Sequence, residues 1–181
     1  MGDWQDLKAI SLEERGNAMI REIHNEDIKD CVKVITTSFQ TVADEFGFTR
    51  ENAPRFVAFA TNEDMLRRWM DEEKRPMYGY YEEDVMIGYY NLKISNDQEC
   101  ELGSLSVLPE YRHQGIGVKL LQDAIQKAKD LSCAKMKLSI VEENYVLRRW
   151  YEQNGFTHTG TEKYDFFPFT CGYMERDLIM D

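Results

Sequence analysis

The sequence predicts a single mixed α/β domain, and three observations predict it. Strand-like runs alternate with helical ones along the chain, with no internal repeat or low-complexity tract. A strand over Glu101–Val107 passes through a turn holding Gly115 and Gly117 straight into an amphipathic helix. The length of 181 residues suits one domain with a short appendage, large enough to bury a core without disulfides or a metal.

The elements follow in order. Residues 1–18 are polar and read as an N-terminal extension, in which Ser11 and Glu14 have capping-box spacing for a short helical turn. The domain is expected over residues 19–181, beginning with a short strand at Met19–Ile23. Asn25 reads as an N-cap, with Glu26 and Asp27 favourable in the first turn. Ile28, Val32, Ile35 and Phe39 then carry a helix to about Gln40. Gly47 and Pro54 break the stretch that follows, and Asn62 opens a second helix with the apolar face Met65, Leu66, Trp69 and Met70. Beyond Pro76, Met77–Tyr81 and Val85–Ile94 read as a hairpin turning at Glu82-Glu83-Asp84. Val118, Leu121, Ala124, Ile125, Ala128 and Leu131 form one stripe down a helix starting at Gly115. A strand at Met136–Val141, a helix at Asn144–Gln153 closed by Gly155, and strands near Thr157–Asp165 and Cys171–Ile179 complete the domain.

Charge and composition exclude several functions. The net charge is −11, and the basic residues do not cluster as binding along a nucleic-acid backbone demands. The longest apolar run, Phe56–Ala60, falls far short of the roughly 20 residues of a membrane span. Cys31, Cys100, Cys133 and Cys171 are far apart, and with only His24, His113 and His158 to join them no metal site is expected. They read as small core residues of a reducing compartment. The N-terminus has no apolar signal-peptide core, so a cytoplasmic protein is expected.

Two segments can carry chemistry. In Glu101–Gly117, glycines lead a strand into the first turn of a helix, where unpaired N–H groups and the positive end of the helix dipole can cradle a pyrophosphate. The segment is neither a Walker A loop nor a GxGxxG fingerprint, and the same glycines also suit an ordinary turn. In Asn144–Phe156, Leu147, Trp150 and Tyr151 share a helical face. Tyr151 either packs in the core or directs its hydroxyl into a cleft as an acid.

Together the two segments resemble the GNAT superfamily of N-acetyltransferases. The family pattern Q/R-x-x-G-x-G/A matches Arg112-His113-Gln114-Gly115-Ile116-Gly117, after Val107-Leu108-Pro109 at the end of the preceding strand. The later signature matches Asn144, Tyr151 and Gly155-Phe156. The resemblance implies a mixed, mostly antiparallel central sheet flanked by helices, with acetyl-CoA as co-substrate and no metal. It implies that main-chain groups of Leu105 and Val107 pair with the pantetheine arm, and that amides from His113 to Gly117 hold the pyrophosphate, with Arg112 and Lys119 adding local positive charge. Asn144 would hydrogen-bond near the pantetheine, and Tyr151 would protonate the departing thiolate. Glu101 matches by offset the strand glutamate that serves some members as base; a water chain, or a surface glutamate with no such role, are the alternatives. His113 departs from the glycine that many members carry there, and a side chain at that point narrows the allowed backbone.

The implied activity is acetyl transfer to a primary amine of a small molecule or peptide, with no nucleic-acid or membrane partner; the family also admits homodimers. The acceptor pocket is expected between about Phe39–Ala60 and the aromatic stretch Tyr164–Tyr173. The competing function is a catalytically silent acyl-CoA-binding module, which would need only the cradle.

Overall fold

The computed structural model describes residues 17–95 and 98–178. The expected turn at Ser11–Glu14 and the last residue of the final expected strand, Ile179, lie outside the described residues. The first strand, β1 (Met19–Glu22), leads through a 3-10 turn into helix α1 (Ile28–Phe46). Asn25 is not the N-cap. It lies inside the 3-10 turn, and the carboxylate of Asp27 instead accepts from the His24 backbone N–H at 2.9 Å. Asp27 also takes both ends of the Arg21 guanidinium at 2.8 and 2.9 Å, which fixes the entry of α1 to the edge strand. The helix runs past Gln40 until Gly47, whose φ of 71° closes it in the left-handed cap that glycine adopts without strain.

A short helix α2 (Val57–Ala60) and helix α3 (Glu63–Asp71) follow. The side chain of Asn62 caps α3 by accepting from Met65 N–H. Strands β2 (Met77–Glu82) and β3 (Val85–Ile94) form the expected hairpin, with Glu83 and Asp84 at φ 47° and 67° in the two-residue turn that matches strand twist. Then come β4 (Glu99–Val107), α4 (Ile116–Asp130), β5 (Lys135–Val141), α5 (Tyr145–Gln153), β6 (Thr157–Lys163) and β7 (Thr170–Asp177).

The strands make one seven-stranded sheet in the order β1-β2-β3-β4-β5-β7-β6. Every neighbouring pair is antiparallel except β4 and β5, the parallel pair that the α4 crossover requires. Helix α4 packs on one face and α1 on the other. On β3 the alternation is direct: a Cβ on Gly88 would meet Leu120 of α4, while the neighbouring Tyr89 faces Cys31 of α1. The larger core joins Ile35, Tyr89 and Leu92 to Leu120, Leu121 and Met136. A second, aromatic cluster lies on the α1 side, where Ala43, Phe48 and Phe56 meet Val141, Phe169 and Cys171. All four cysteines are buried free thiols, as expected of core residues. Among the described residues no helix is long and apolar enough to cross a membrane.

Candidate active site

The parallel seam creates the site. Strands β4 and β5 pair at only three positions, Glu99 with Lys135, Cys100 with Met136, and Glu101 with Lys137. Beyond Glu101 they part. A bulge in β4 sits at the parting: Tyr89 opposes Ser106 and Asn91 opposes Gly103, so Tyr90 faces both Ser104 and Leu105. Ser104 takes φ 50° there, a left-handed conformation that costs a non-glycine residue energy and marks a place where the fold holds the backbone against its preference. Sequence reasoning missed Ser104. Its signal was faint, two small residues, Gly103 and Ser104, inside an otherwise regular strand.

Leu105, in the bulge, and Val107, just past it, lie on the parted edge, and neither pairs with β5. The Val107 carbonyl is already engaged, because Arg112 Nε donates to it at 3.1 Å. The rest of that guanidinium reaches α1, donating to Ser38 O at 2.9 Å and Thr41 Oγ1 at 3.0 Å. Arg112 therefore ties the end of β4 to α1 rather than standing over the turn. Burial lowers its pKa, as burying a cation must.

The turn itself is open. His113, Gln114 and Gly115 are exposed, and the first amide near the start of α4 with a backbone acceptor is Lys119, to Gly115 O. The N–H groups from His113 to Val118, including those of Ile116 and Gly117, have no backbone acceptor among the described residues. Successive unpaired amides at the positive end of a helix form an anion-binding concavity. His113 holds φ 59° and Gly115 φ 81°, so the chain reverses through two left-handed residues and only one is glycine. A Cβ on Gly117 would meet Trp150 at 3.6 Å, an ordinary contact, so any larger side chain there must push out over the turn. Trp150 thus packs α5 against the start of α4. Lys119 leans over the Tyr80 ring, 5.9 Å from its centroid.

Asn144 caps α5, its Oδ1 accepting from Leu147 N–H at 3.1 Å and leaving the side-chain NH2 unused. Two turns further, Tyr151 is buried, with its ring edge-to-face against Trp150 and Phe156 at 4.9 and 5.4 Å. The ring packs in the core, and the hydroxyl has no hydrogen-bond partner among the described residues. Burial alone raises its pKa, so the phenol keeps its proton at neutral pH. Glu101 is exposed on the last β4–β5 rung, across from Lys93 and Lys137. It shares the α1 side of the sheet, since Cys100 beside it turns to Cys133 at the end of α4. Among the described residues no group of His, Cys, Asp and Glu could hold a metal ion.

Residues 39–156 match the sequence pattern of the Acetyltransferase (GNAT) family. The chain belongs to that family. This acetyltransferase is 24% identical over 131 residues to an uncharacterised N-acetyltransferase of Mycobacterium tuberculosis, covering 72% of this chain and 81% of the relative. It is 33% identical over 88 residues to the spermidine N(1)-acetyltransferase of Thermoplasma acidophilum, covering 49% of this chain and 54% of that one. Among solved structures, the PaiA N-acetyltransferase of T. acidophilum in complex with coenzyme A superposes with a TM-score of 0.76 at 23% identity, covering 89% of this chain and 99% of that chain. The ribosomal-protein-S18-alanine N-acetyltransferase of Escherichia coli gives a TM-score of 0.69 at 16% identity, covering 91% of this chain and 96% of that chain. At such identities the likeness is one of fold.

Proposed function

We propose that this acetyltransferase transfers an acetyl group from acetyl-CoA to a primary amine of a small molecule or peptide. The observation that carries the reading is the parted β4–β5 seam running into a turn whose amides, His113 to Val118, have no backbone acceptor among the described residues. Those residues fit the group. An amide-bearing arm can lie along the edge at Leu105 and Val107 N–H, and a diphosphate can take the amides of His113, Gln114, Gly115, Ile116 and Gly117. Local amide dipoles suffice in a chain of net charge −11, because salt screens the distant acids within about 8–10 Å. The bound thioester supplies the activated acetyl group.

The chain's own residues divide the proton traffic. An alkylammonium, with a pKa of about 10, must lose a proton before its nitrogen can attack. Glu101, directly or through water, takes that proton at the mouth of the seam. As the N–C bond forms and the C–S bond breaks, the Tyr151 hydroxyl gives its proton to sulfur, and the second proton, which the acylated nitrogen sheds, returns through solvent to the phenolate. Burial raises the phenol pKa, so Tyr151 holds its proton until sulfur carries developing negative charge. The unused Asn144 NH2 is free to donate to the arm.

The test is CoA release from acetyl-CoA over a panel of amines, polyamines, amino acids and short peptides, with acetylated product followed by mass. Amine-dependent product is expected; bound acetyl-CoA without product across the panel would support a silent acyl-CoA-binding module instead. With an acceptor in hand, Glu101→Gln is expected to lower turnover roughly 10²- to 10⁴-fold and to remove the acidic limb of the pH–rate profile. An unchanged profile would remove Glu101 from the mechanism.

A further inference from the structure

Beside the seam, on the side of the sheet that α1 covers, the β6–β7 arm holds a chain of hydrogen bonds whose direction can be deduced. The Tyr164 hydroxyl lies 2.6 Å from a carboxylate oxygen of Glu162 and 2.6 Å from the Tyr173 hydroxyl. A carboxylate offers no proton, so the Tyr164 O–H donates to Glu162. A hydroxyl has one proton to give, and that of Tyr164 is now used. Tyr173 must therefore be the donor in the second bond. With its own proton committed, the Tyr173 oxygen can only accept from any third group.

The chain is fixed in place before any ligand arrives. Tyr164 stacks on Phe166 at 5.1 Å, and Lys163 Nζ ties the arm by donating to the carbonyls of Phe167 and Phe169 at 2.5 and 3.0 Å. Glu162 makes no ion pair among the described residues, and its carboxylate stands behind the two phenols as the acceptor that ends the chain. Hydrogen bonding to Glu162 is the main cause of a raised Tyr164 pKa, so the phenol keeps the proton it donates.

Its position is also determined. Tyr173 pairs with Ser139 on β5, two residues past the last β4–β5 rung at Lys137, where the strands have parted. It packs against the aromatic cluster that includes Ala43 of α1 and Val141 of β5, which puts it on the same side of the sheet as Glu101. An oxygen restricted to accepting, backed by a carboxylate and flanked by aromatic rings, suits a positively charged nitrogen.

We propose that Tyr173, polarised through Tyr164 by Glu162, is a specificity-determining residue that holds a second, non-reacting cationic nitrogen of the acceptor. The preferred acceptors are then diamines, polyamines or amines bearing a second basic group. This rests on the transferase reading above, but its test is a binding measurement. Putrescine, cadaverine and hexamethylenediamine are each titrated calorimetrically into the CoA-bound protein, against the alkylamine of the same length. At least one diamine is expected to bind about tenfold tighter than its monoamine partner, as the loss of a hydrogen bond to a charged group implies. Tyr173→Phe should erase that preference while leaving the net charge and the CoA affinity unchanged.

Glu162→Gln should also erase it. An amide can either accept from or donate to Tyr164, so the negative charge is lost and the direction of the chain is no longer fixed, which lets Tyr173 point its proton outward. Its unchanged CoA affinity reports intact folding, should Tyr173→Phe disturb the aromatic cluster. Wild-type protein with no diamine preference, or a preference surviving both substitutions, overturns the proposal. A diamine preference without any amine-dependent CoA release would leave the subsite standing and refute the transferase reading; turnover without the preference would do the reverse.

Discussion

Replacing Arg112 with methionine keeps an unbranched apolar stem and removes every donor, which separates two roles for this side chain. Three hydrogen bonds disappear, to Val107 O, Thr41 Oγ1 and Ser38 O, and with them the tie between the end of β4 and α1. At about 1–1.5 kcal/mol for each bond, the upper part of the ordinary range because the donor is partly solvated, the gross loss is roughly 3–4.5 kcal/mol. Removing a half-buried guanidinium also removes the desolvation penalty that lowers its pKa, so a net loss of about 2–3 kcal/mol is expected. For a domain of this size that lowers the melting midpoint by roughly 4–12 °C. Urea unfolding gives the stability, and calorimetric titration of CoA at low and high salt gives the affinity and its salt slope. The tie predicts a large stability loss with an unchanged salt slope. An intact midpoint together with a large affinity loss that high salt abolishes would show that the guanidinium serves the phosphates.

Other outcomes follow from the same geometry. Tyr151→Phe should lower kcat about 10²-fold. CoA affinity and melting midpoint should hold, because the hydroxyl has no partner to lose; parallel losses of stability and turnover would reduce Tyr151 to a packing residue. Gly172→Ala would place a methyl group against the Glu142 carboxylate and expel it from Arg148 and His158, which hold it at 3.0 and 2.8 Å. A cost of about 1–2 kcal/mol in chemical denaturation is expected, shrinking in a Glu142→Gln background, whereas full additivity would refute the contact. Arg21 holds the Asp27 pKa down to about 2, so this pair's stabilisation is complete above the ordinary carboxylate pKa and is lost as pH falls through about 2. Because Arg21 is a third exposed, the contribution is about 1 kcal/mol, and Asp27→Asn should flatten that part of the acid-unfolding curve. An unchanged curve would show the pair to be inert.

Local chemistry was legible in the sequence. Asn62, Gly47 and the Glu83-Asp84 turn act through neighbours a few residues away, and each does what its residue type implies. The start of α1 misled for a similar local reason: Asn25 and Asp27 are both good caps, and the deciding partner, Arg21, lies on the preceding strand. The length of α1 was underestimated because Thr41 and Val42 are weak helix formers, kept helical by packing of the following Ala43 and Phe46 into the aromatic cluster. The open turn was readable because free backbone amides need only glycines and a helix start, and the geometry brings His113 to Gly117 near Leu105 and Val107 beside the seam. The long-range side-chain contacts around it were not. Arg112 meets α1 some seventy residues back, and the Tyr173–Tyr164–Glu162 chain depends on the register of a hairpin, which a list of aromatic residues does not specify.

The narrow β4–β5 seam divides the sheet into two stretches that are also contiguous in sequence. Strands β1 to β4 come from residues 19–107, strands β5 to β7 from residues 135–177, and three rungs with the α4 crossover join them. A ligand lying in the gap would act as a staple across this fault line, supplying rungs that the two edges lack. The fold's cohesion then depends on occupancy: at a hundredfold excess over Kd, binding adds about 2.7 kcal/mol to the unfolding free energy. Amide exchange should slow on both lips of the gap at once, at Leu105–Val107 and Ser139–Val141, although the covalent chain between them is more than thirty residues long. The place where the sheet's pairing is left incomplete is thus where the earlier half of the chain and its later half are held in register.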